Sequence, residues 1–187
     1  MRRIAAILAA VIALGLVLGS LHARADQTDP RLKALFESLR TAASPEAAAD
    51  VEGQIWAIWV QSGDPSLDQV FQVGSQAMAV GDTATALKIF DAIVQKAPDF
   101  AEGWNKRATI YYMMGNYEAS LADIGRTLEL EPHHFGALAG LGLVNIGLDR
   151  DEAALDAFER VLKVDPQSQS ARQNIEFVKQ RIKDKSI

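Results

Sequence analysis

The chain has 187 residues, a formal net charge of −5 and no cysteine, and its length suits one domain of ordinary size. The lack of cysteine excludes disulfides, thiolate metal sites and a lipid anchor on an N-terminal cysteine. Acidic residues exceed basic ones and no basic stripe is present, so the sequence predicts no nucleic-acid partner and no attachment to an anionic membrane surface.

Residues 1–25 have the three-part organisation of a secretory signal peptide. Two arginines open the segment, residues 4–18 are almost wholly apolar, and residues 23–25 read Ala-Arg-Ala, with small residues where a signal peptidase reads them. We expect cleavage between Ala25 and Asp26; losing three arginines changes the net charge from −5 to −8. In a bacterium the mature protein would be periplasmic and free of the membrane. The alternative is an uncleaved N-terminal anchor, which still places the rest outside the cytoplasm.

Residues 26–66 predict two helices joined by a short turn. The second begins with Ser44 as the N-cap and Pro45 at the first helical position, and its apolar face carries Trp56 and Trp59. We expect this pair to be a degenerate cap whose tryptophans pack against the first of the repeats that follow. The alternative is that the tryptophans are exposed and bind a partner.

Three prolines, Pro98, Pro132 and Pro166, are spaced by 34 residues and again by 34. Small and large apolar positions keep the same period, and each unit resolves into two amphipathic helices that end near its proline. The units span 67–100, 101–134 and 135–168. Residues 169–187 then predict a further helix with a polar outer face and a frayed tail.

The segment AEGWNKRATIYYMMGNYEASLADIGRTLELEP, residues 101–132, resembles a tetratricopeptide (TPR) repeat almost position by position. Trp104, Tyr111, Gly115 and Pro132 stand where that family places a tryptophan, an aromatic residue, a turn glycine and a closing proline. The resemblance implies an all-α fold: a right-handed TPR superhelix, or α-solenoid, of antiparallel helix pairs with a C-terminal capping helix, about nine helices in all.

Two residues depart from the family pattern. Arg107 stands where the family has leucine, and Asn145 occupies the place of Tyr111 in the third repeat. A buried asparagine needs a hydrogen-bond partner. We therefore expect Asn145 either to find one or to face the groove.

The resemblance also implies that a protein or peptide partner lies along the first helices of the repeats, in the concave groove. The matching positions are Phe71, Ser75, Met78, Asn105, Lys106, Thr109, Tyr112, Met113, Ala139, Leu143, Ile146, Gln173 and Phe177. Some family members hold a peptide carboxylate in a clamp of Lys, Asn and Arg. Here Asn105 and Lys106 are present, but the matching places in the third repeat are Gly136 and Gly140, which disfavours such a clamp. These two glycines are expected to let a partner backbone approach closely.

The sequence predicts no catalytic residue, no metal site and no cofactor. His133 and His134 are adjacent and cannot share one helical face as a metal-binding pair does, so we interpret them as a solvated turn. The glycine-rich run 136–142 lies within a helix and follows no strand, which excludes a dinucleotide loop.

These features favour a non-enzymatic periplasmic scaffold or adaptor, a monomer or weak homo-oligomer, that binds proteins in cell-envelope assembly or integrity. A second hypothesis is a TPR subunit of a larger maturation, secretion or polymer-export complex. A third, an enzyme in its own right, needs a metal or nucleophile that the sequence does not reveal.

Overall fold

The computed structural model describes residues 26–186. Within that range the chain is helical throughout, with nine α-helices, a single 3-10 turn at Asp26–Thr28 and no β-strand. The helices are α1 Arg31–Arg40, α2 Pro45–Trp59, α3 Pro65–Ala79, α4 Thr83–Lys96, α5 Ala101–Met113, α6 Tyr117–Leu130, α7 Phe135–Gly147, α8 Asp151–Val164 and α9 Gln169–Lys185. The predicted all-α solenoid is therefore confirmed. No helix in residues 26–186 is long and apolar enough to cross a membrane, and the predicted signal peptide and its anchor alternative lie outside the described residues.

Side-chain caps fix where most helices begin. Ser44, Asp64, Asp82, Asn116 and Ser168 accept hydrogen bonds from backbone N–H groups in the first turns of α2, α3, α4, α6 and α9. These groups have no partner within the helix itself, so each cap satisfies a donor that would otherwise be unpaired. The helix starts are thus determined locally by sequence.

The turns inside the three repeats share a left-handed residue. Gly81, Gly115 and Asp149 have φ values of 78°, 72° and 57° at equivalent positions. Glycine adopts this conformation without a steric penalty, and aspartate is among the few other residues that tolerate it. The third repeat therefore makes the same bend, with Asp149 in the place of the glycine.

In the first and third repeats the two helices approach closely at one glycine of the first helix, where the second repeat has Ala108. A Cβ at Gly142 would lie 2.4 Å from the ring of Phe158 on α8, and one at Gly74 would lie 2.8 Å from the ring of Phe90 on α4. Both rings are fully buried. Gly74 and Gly142 thus decide how closely α4 and α8 pack against the first helices of their repeats.

Arg107, the departure from the family pattern, holds consecutive second helices together. Its Nε and Nη2 donate to the two carboxylate oxygens of Asp123 on α6 at 2.7 and 2.8 Å, and its Nη1 donates to Asp91 on α4 at 2.8 Å. The hydrogen bond with Asp123 and the nearby negative charge raise the pKa of Arg107. A planar guanidinium satisfies two carboxylates in this geometry.

The N-terminal hairpin, α1 and α2, packs elsewhere than predicted. Its buried Leu39, Ile55 and Trp59 belong to one apolar cluster with Phe135 and Leu138 of the third repeat. The Trp59 ring lies 5.0 Å from the Phe135 ring. The prediction that the tryptophans pack against the first repeat is therefore wrong, and so is the alternative of two exposed tryptophans, because the chain folds back across the second and third repeats.

At the other end, α9 covers the last repeat. Ile175 and Val178 pack with Phe158 of α8 in one buried cluster. Asp151 at the start of α8 pairs with Lys185 at 2.7 Å and with Arg181 at 2.9 Å, and these contacts lower the pKa of Asp151. Apolar contacts and ion pairs together fix this helix on the solenoid.

Candidate functional site

A shallow apolar channel runs between α5 and α7 on the side formed by the first helices; we call it the α5–α7 strip. Its cavity measures about 170 Å³. The lining residues are Asn105, Ala108, Thr109, Tyr112, Ser120, Ile124, Gly136, Ala139, Gly140, Leu143 and Val144. No charged residue lines it. The strip exists because the third repeat has small residues on its first helix, which leave space between the two backbones.

The Ser120 and Thr109 hydroxyls and the Asn105 amide of the strip are bonded within the protein. Ser120 Oγ donates to the Ala108 carbonyl at 2.8 Å, and Thr109 Oγ1 donates to the Asn105 carbonyl at 2.9 Å. Below the strip, the buried Asn145 donates to the Leu141 carbonyl at 2.8 Å, which is the partner that the sequence required. The strip therefore offers an occupant mainly apolar surface rather than hydrogen bonds.

Five of the thirteen predicted groove residues line the strip: Asn105, Thr109, Tyr112, Ala139 and Leu143. Met113, the last residue of α5, is not among the lining residues, although it is 51% exposed.

The other predicted groove residues do not join this surface. Phe71 is 2% exposed, because its ring packs edge-to-face on Phe90 at 5.5 Å inside the first repeat. Met78 packs against the same cluster, and Ile146 packs in the cluster beneath α9. Ser75 is half-buried, with its hydroxyl enclosed in the first repeat. Gln173 and Phe177 are exposed, but on α9.

Asn105 and Lys106 are engaged by a buried glutamate. Glu102 is 1% exposed; its Oε2 accepts from Asn105 Nδ2 at 2.8 Å, and its Oε1 lies 3.0 Å from Lys106 Nζ. Burial pushes the pKa of Glu102 upward, but the hydrogen bond from His134 and the interaction with the Lys106 ammonium outweigh burial, so the pKa is lowered. The Glu–Lys spacing of four residues on one helix was a sequence signal for this pair.

His134 is a structural residue at the centre of the docked hairpin. It is fully buried, its Nδ1 accepts from Ala137 N at 3.1 Å as the cap of α7, and its Nε2 lies 3.1 Å from Glu102 Oε2. An acceptor at Nδ1 assigns the proton to Nε2, which donates to Glu102. Trp59 stacks on the ring at 4.1 Å and 8°. The interpretation of His134 as a solvated turn residue is wrong, because α2 covers it.

His133 has the exposed environment predicted for the pair. Its side chain is 62% exposed, with Nδ1 3.2 Å from Glu131 Oε1. It borders a second depression of about 490 Å³ between α1 and the turn before α7. Both acidic and basic side chains line that depression, among them Glu37, Arg40 and Lys163, so it favours neither an anionic nor a cationic ligand. Within residues 26–186 no three His, Asp or Glu side chains lie close enough together to hold a metal ion.

Gly136 plays a different part from the one expected, whereas the expectation for Gly140 stays a prediction. A Cβ at Gly136 would lie 2.8 Å from the Trp56 ring, so this glycine makes room for the hairpin rather than for a partner backbone. A Cβ at Gly140 would meet Ile124 at 3.6 Å, an ordinary contact. Lys106 Nζ also lies 5.7 Å from the Trp56 ring. The hairpin therefore packs against Gly136 and Lys106 next to the strip, which no local pattern indicated.

The sequence is similar to one family model and to a bacterial protein of known sequence. A model of the tetratricopeptide repeat family matches residues 74–123 and 105–171. A TPR repeat-containing protein of Rhizobium etli is 32% identical over 152 residues, which are 81% of this chain and 74% of that protein.

Solved structures share the fold at low identity. MamA from Desulfovibrio magneticus RS-1 superposes with a TM-score of 0.59 at 19% identity over 85% of this chain and 87% of MamA. The first TPR of Spaghetti (RPAP3), bound to the HSP90 peptide SRMEEVD, superposes with a TM-score of 0.60 at 18% identity over 62% of this chain and 92% of that one.

Proposed function

The chain belongs to the tetratricopeptide repeat family, whose members mediate protein–protein interactions, and we propose that it is a non-enzymatic scaffold whose α5–α7 strip holds a segment of a partner protein. The observation that carries the proposal is the strip itself, an accessible apolar channel about 170 Å³ in volume between the first helices of two repeats. Concave, largely apolar surfaces with few converging polar groups are typical of binding sites.

The chemistry of the strip favours an uncharged segment with small or medium apolar side chains. The Ser120 and Thr109 hydroxyls already donate within the protein, and most of the other lining residues are alanine, glycine and branched aliphatic residues. An extended or helical segment would place alternate apolar side chains along it.

An acidic tail of the kind bound by the RPAP3 domain is not the expected occupant. Lys106 is paired with Glu102 and lies against Trp56, and Asn105 is buried on the same carboxylate. Freeing these groups for a peptide carboxylate would leave Glu102 buried without its partners, which is energetically costly.

We further place the mature protein in the periplasm of a bacterium, acting in cell-envelope assembly or integrity. Residues 1–25 support this proposal by their basic start, apolar run and Ala-Arg-Ala end. Expression of the full chain followed by fractionation and N-terminal sequencing tests it. The expected product is periplasmic and begins at Asp26; a cytoplasmic product that retains residues 1–25 would contradict it.

Binding is tested by affinity capture from envelope extract with two matched variants. Ala139→Arg fills the strip, whereas Ala122→Arg places the same side chain on the exposed face of α6. We expect the wild type and Ala122→Arg to retain one protein specifically and Ala139→Arg to lose it while keeping its helical circular dichroism. Equal capture by both variants would show that the strip is not the binding site.

A further inference from the structure

The turn between α8 and α9 holds the N-terminal hairpin by two polar contacts. Gln167 Nε2 donates to the Ala42 carbonyl, which lies between α1 and α2, at 3.0 Å. Glu52 of α2 forms a hydrogen bond with Asp165, the C-cap residue of α8. The apolar cluster around these contacts also joins the hairpin to α8 and α9. The side chains of this turn therefore help to decide how firmly the hairpin docks.

The contact between Glu52 and Asp165, which we call the carboxyl pair, joins two acids. Asp165 is 2% exposed, and Glu52 is half-buried. Two carboxyl groups form a hydrogen bond only when one of them carries a proton, and two adjacent carboxylates repel each other. Asp165 Oδ1 also accepts from the backbone N of Gln167 at 3.0 Å, which favours the ionised form of Asp165. The geometry therefore assigns the shared proton to Glu52, which donates it to Asp165.

The charged group that acts on Glu52 is Asp165. Burial, and then the hydrogen bond and the charge of Asp165, raise the pKa of Glu52 to about 7. Within residues 26–186, neither Arg160 nor Lys163 of α8 forms an ion pair with Glu52. The other basic groups on the surrounding elements are bonded elsewhere: Arg40 of α1 with Glu37, His134 before α7 with Glu102, and Arg172 of α9 with the Pro166 carbonyl. The remaining acids of α2, Glu46 and Asp50, are exposed.

The preceding joint of the solenoid carries an acid with a different neighbour. Glu131 lies 34 positions before Asp165 and accepts from the backbone N of His133 at 2.8 Å, as Asp165 accepts from Gln167. Its other contact is the ring of His133, with Nδ1 at 3.2 Å, a group that is able to carry a positive charge. At the next joint a second acid takes that role, and the hairpin supplies it. The protonation of Glu52 therefore bears on the docking of the hairpin.

We propose that the carboxyl pair makes hairpin docking proton-dependent: the hairpin stays docked while Glu52 is protonated and opens more often once both carboxyls are ionised. Loss of the proton replaces a hydrogen bond by two like charges in a partly buried contact. The Trp56 ring lies against Gly136 and Lys106, so opening uncovers these residues beside the α5–α7 strip. The proposal concerns the docking itself and does not depend on which molecule the strip binds.

Hydrogen exchange of backbone amides measures how often the hairpin opens, even when the open state is rare. With the full mature chain, we expect the opening equilibrium of α2, corrected for the intrinsic exchange rate, to rise at least about tenfold from about pH 5 to about pH 8. The reason is that the docked state keeps a proton that the open state has lost, so docking weakens as the pH rises. Amides of α4, in the first repeat, serve as the internal control. A smaller rise in α2, or an equal rise in α4, would overturn the proposal.

Isosteric variants separate the carboxyl pair from its surroundings. Glu52→Gln removes the titrating group and should abolish the rise in α2. Asp165→Asn keeps an oxygen for the Gln167 N–H and gains an amide that can donate to an ionised Glu52, so it should make the rise smaller. Asp50→Asn removes an exposed acid from the same helix and should leave the rise unchanged. An undiminished rise in either Glu52→Gln or Asp165→Asn would overturn the proposal; in Glu52→Gln it would assign the titration to another group, such as His134.

Discussion

The stacked pair formed by Trp59 and His134 allows a direct measurement of where the N-terminal hairpin docks. Trp59 is 2% exposed and its ring lies 4.1 Å from the His134 ring at 8°. We expect Trp59→Ala to lower the unfolding free energy by about 3–5 kcal/mol, the usual cost of emptying a buried aromatic site. Stacking contributes about 0.5–1.5 kcal/mol of this beyond burial.

A double-mutant cycle isolates the contact. His134→Asn keeps a side chain able to cap α7 but removes the ring. Urea unfolding followed by circular dichroism should give a coupling energy of about 1 kcal/mol between Trp59→Ala and His134→Asn. As a control, Trp59→Ala and Phe71→Leu in the first repeat should add within about 0.5 kcal/mol, the usual result for residues without contact.

The two possible dockings predict opposite results. If the hairpin capped the first repeat in solution, the coupling would appear with Phe71 and vanish with His134. A total effect of Trp59→Ala below about 1 kcal/mol would refute the docked hairpin itself, because changes of that size are typical of exposed sites.

Three further changes test the packing and electrostatics of the solenoid. Gly142→Ala would place a Cβ 2.4 Å from a buried ring and should lower the free energy of urea unfolding by about 1–3 kcal/mol. Gly125→Ala, where a Cβ has no neighbour within 4 Å, should raise it by about 0.5–1 kcal/mol. Changes of the same sign in both variants would contradict the packing argument. Arg107→Leu, the family residue, should cost about 3–5 kcal/mol in thermal or urea unfolding because Asp123 stays buried without its cation. Adding Asp123→Leu should recover most of that loss, and no recovery would refute the pairing as its cause. The pKa of Glu52 is raised from 4.5 to about 7, first by burial and then by a hydrogen bond with a neighbouring carboxyl. The native state therefore keeps a proton that the unfolded state has lost, and the unfolding free energy should fall as the pH rises from 4.5 to about 7. Glu52→Gln should flatten that fall in unfolding curves measured across this range, and an unchanged slope would exclude Glu52 as its source.

The sequence by itself determined the local architecture of this protein. Caps such as Ser44 and Asn116, the recurring prolines and the left-handed turn residues act within a few positions of the chain, so their spacing was sufficient to predict nine helices and three repeats. The apolar surface between the second and third repeats was also foreseeable, because the small residues at 139 and 140 lie on a known helical face.

Tertiary structure alone decided where the N-terminal hairpin goes. An amphipathic hairpin has an apolar face that can pack on any complementary surface, and nothing in its own sequence chooses between the first repeat and the third. The choice depends on side chains far along the chain: Gly136 admits Trp56, and His134 stacks on Trp59 while its Nε2 reaches Glu102. This docking of the hairpin buries a histidine that was expected in solvent, sets Lys106 against Trp56, and leaves Val70, Val73 and Val80 of the first repeat exposed.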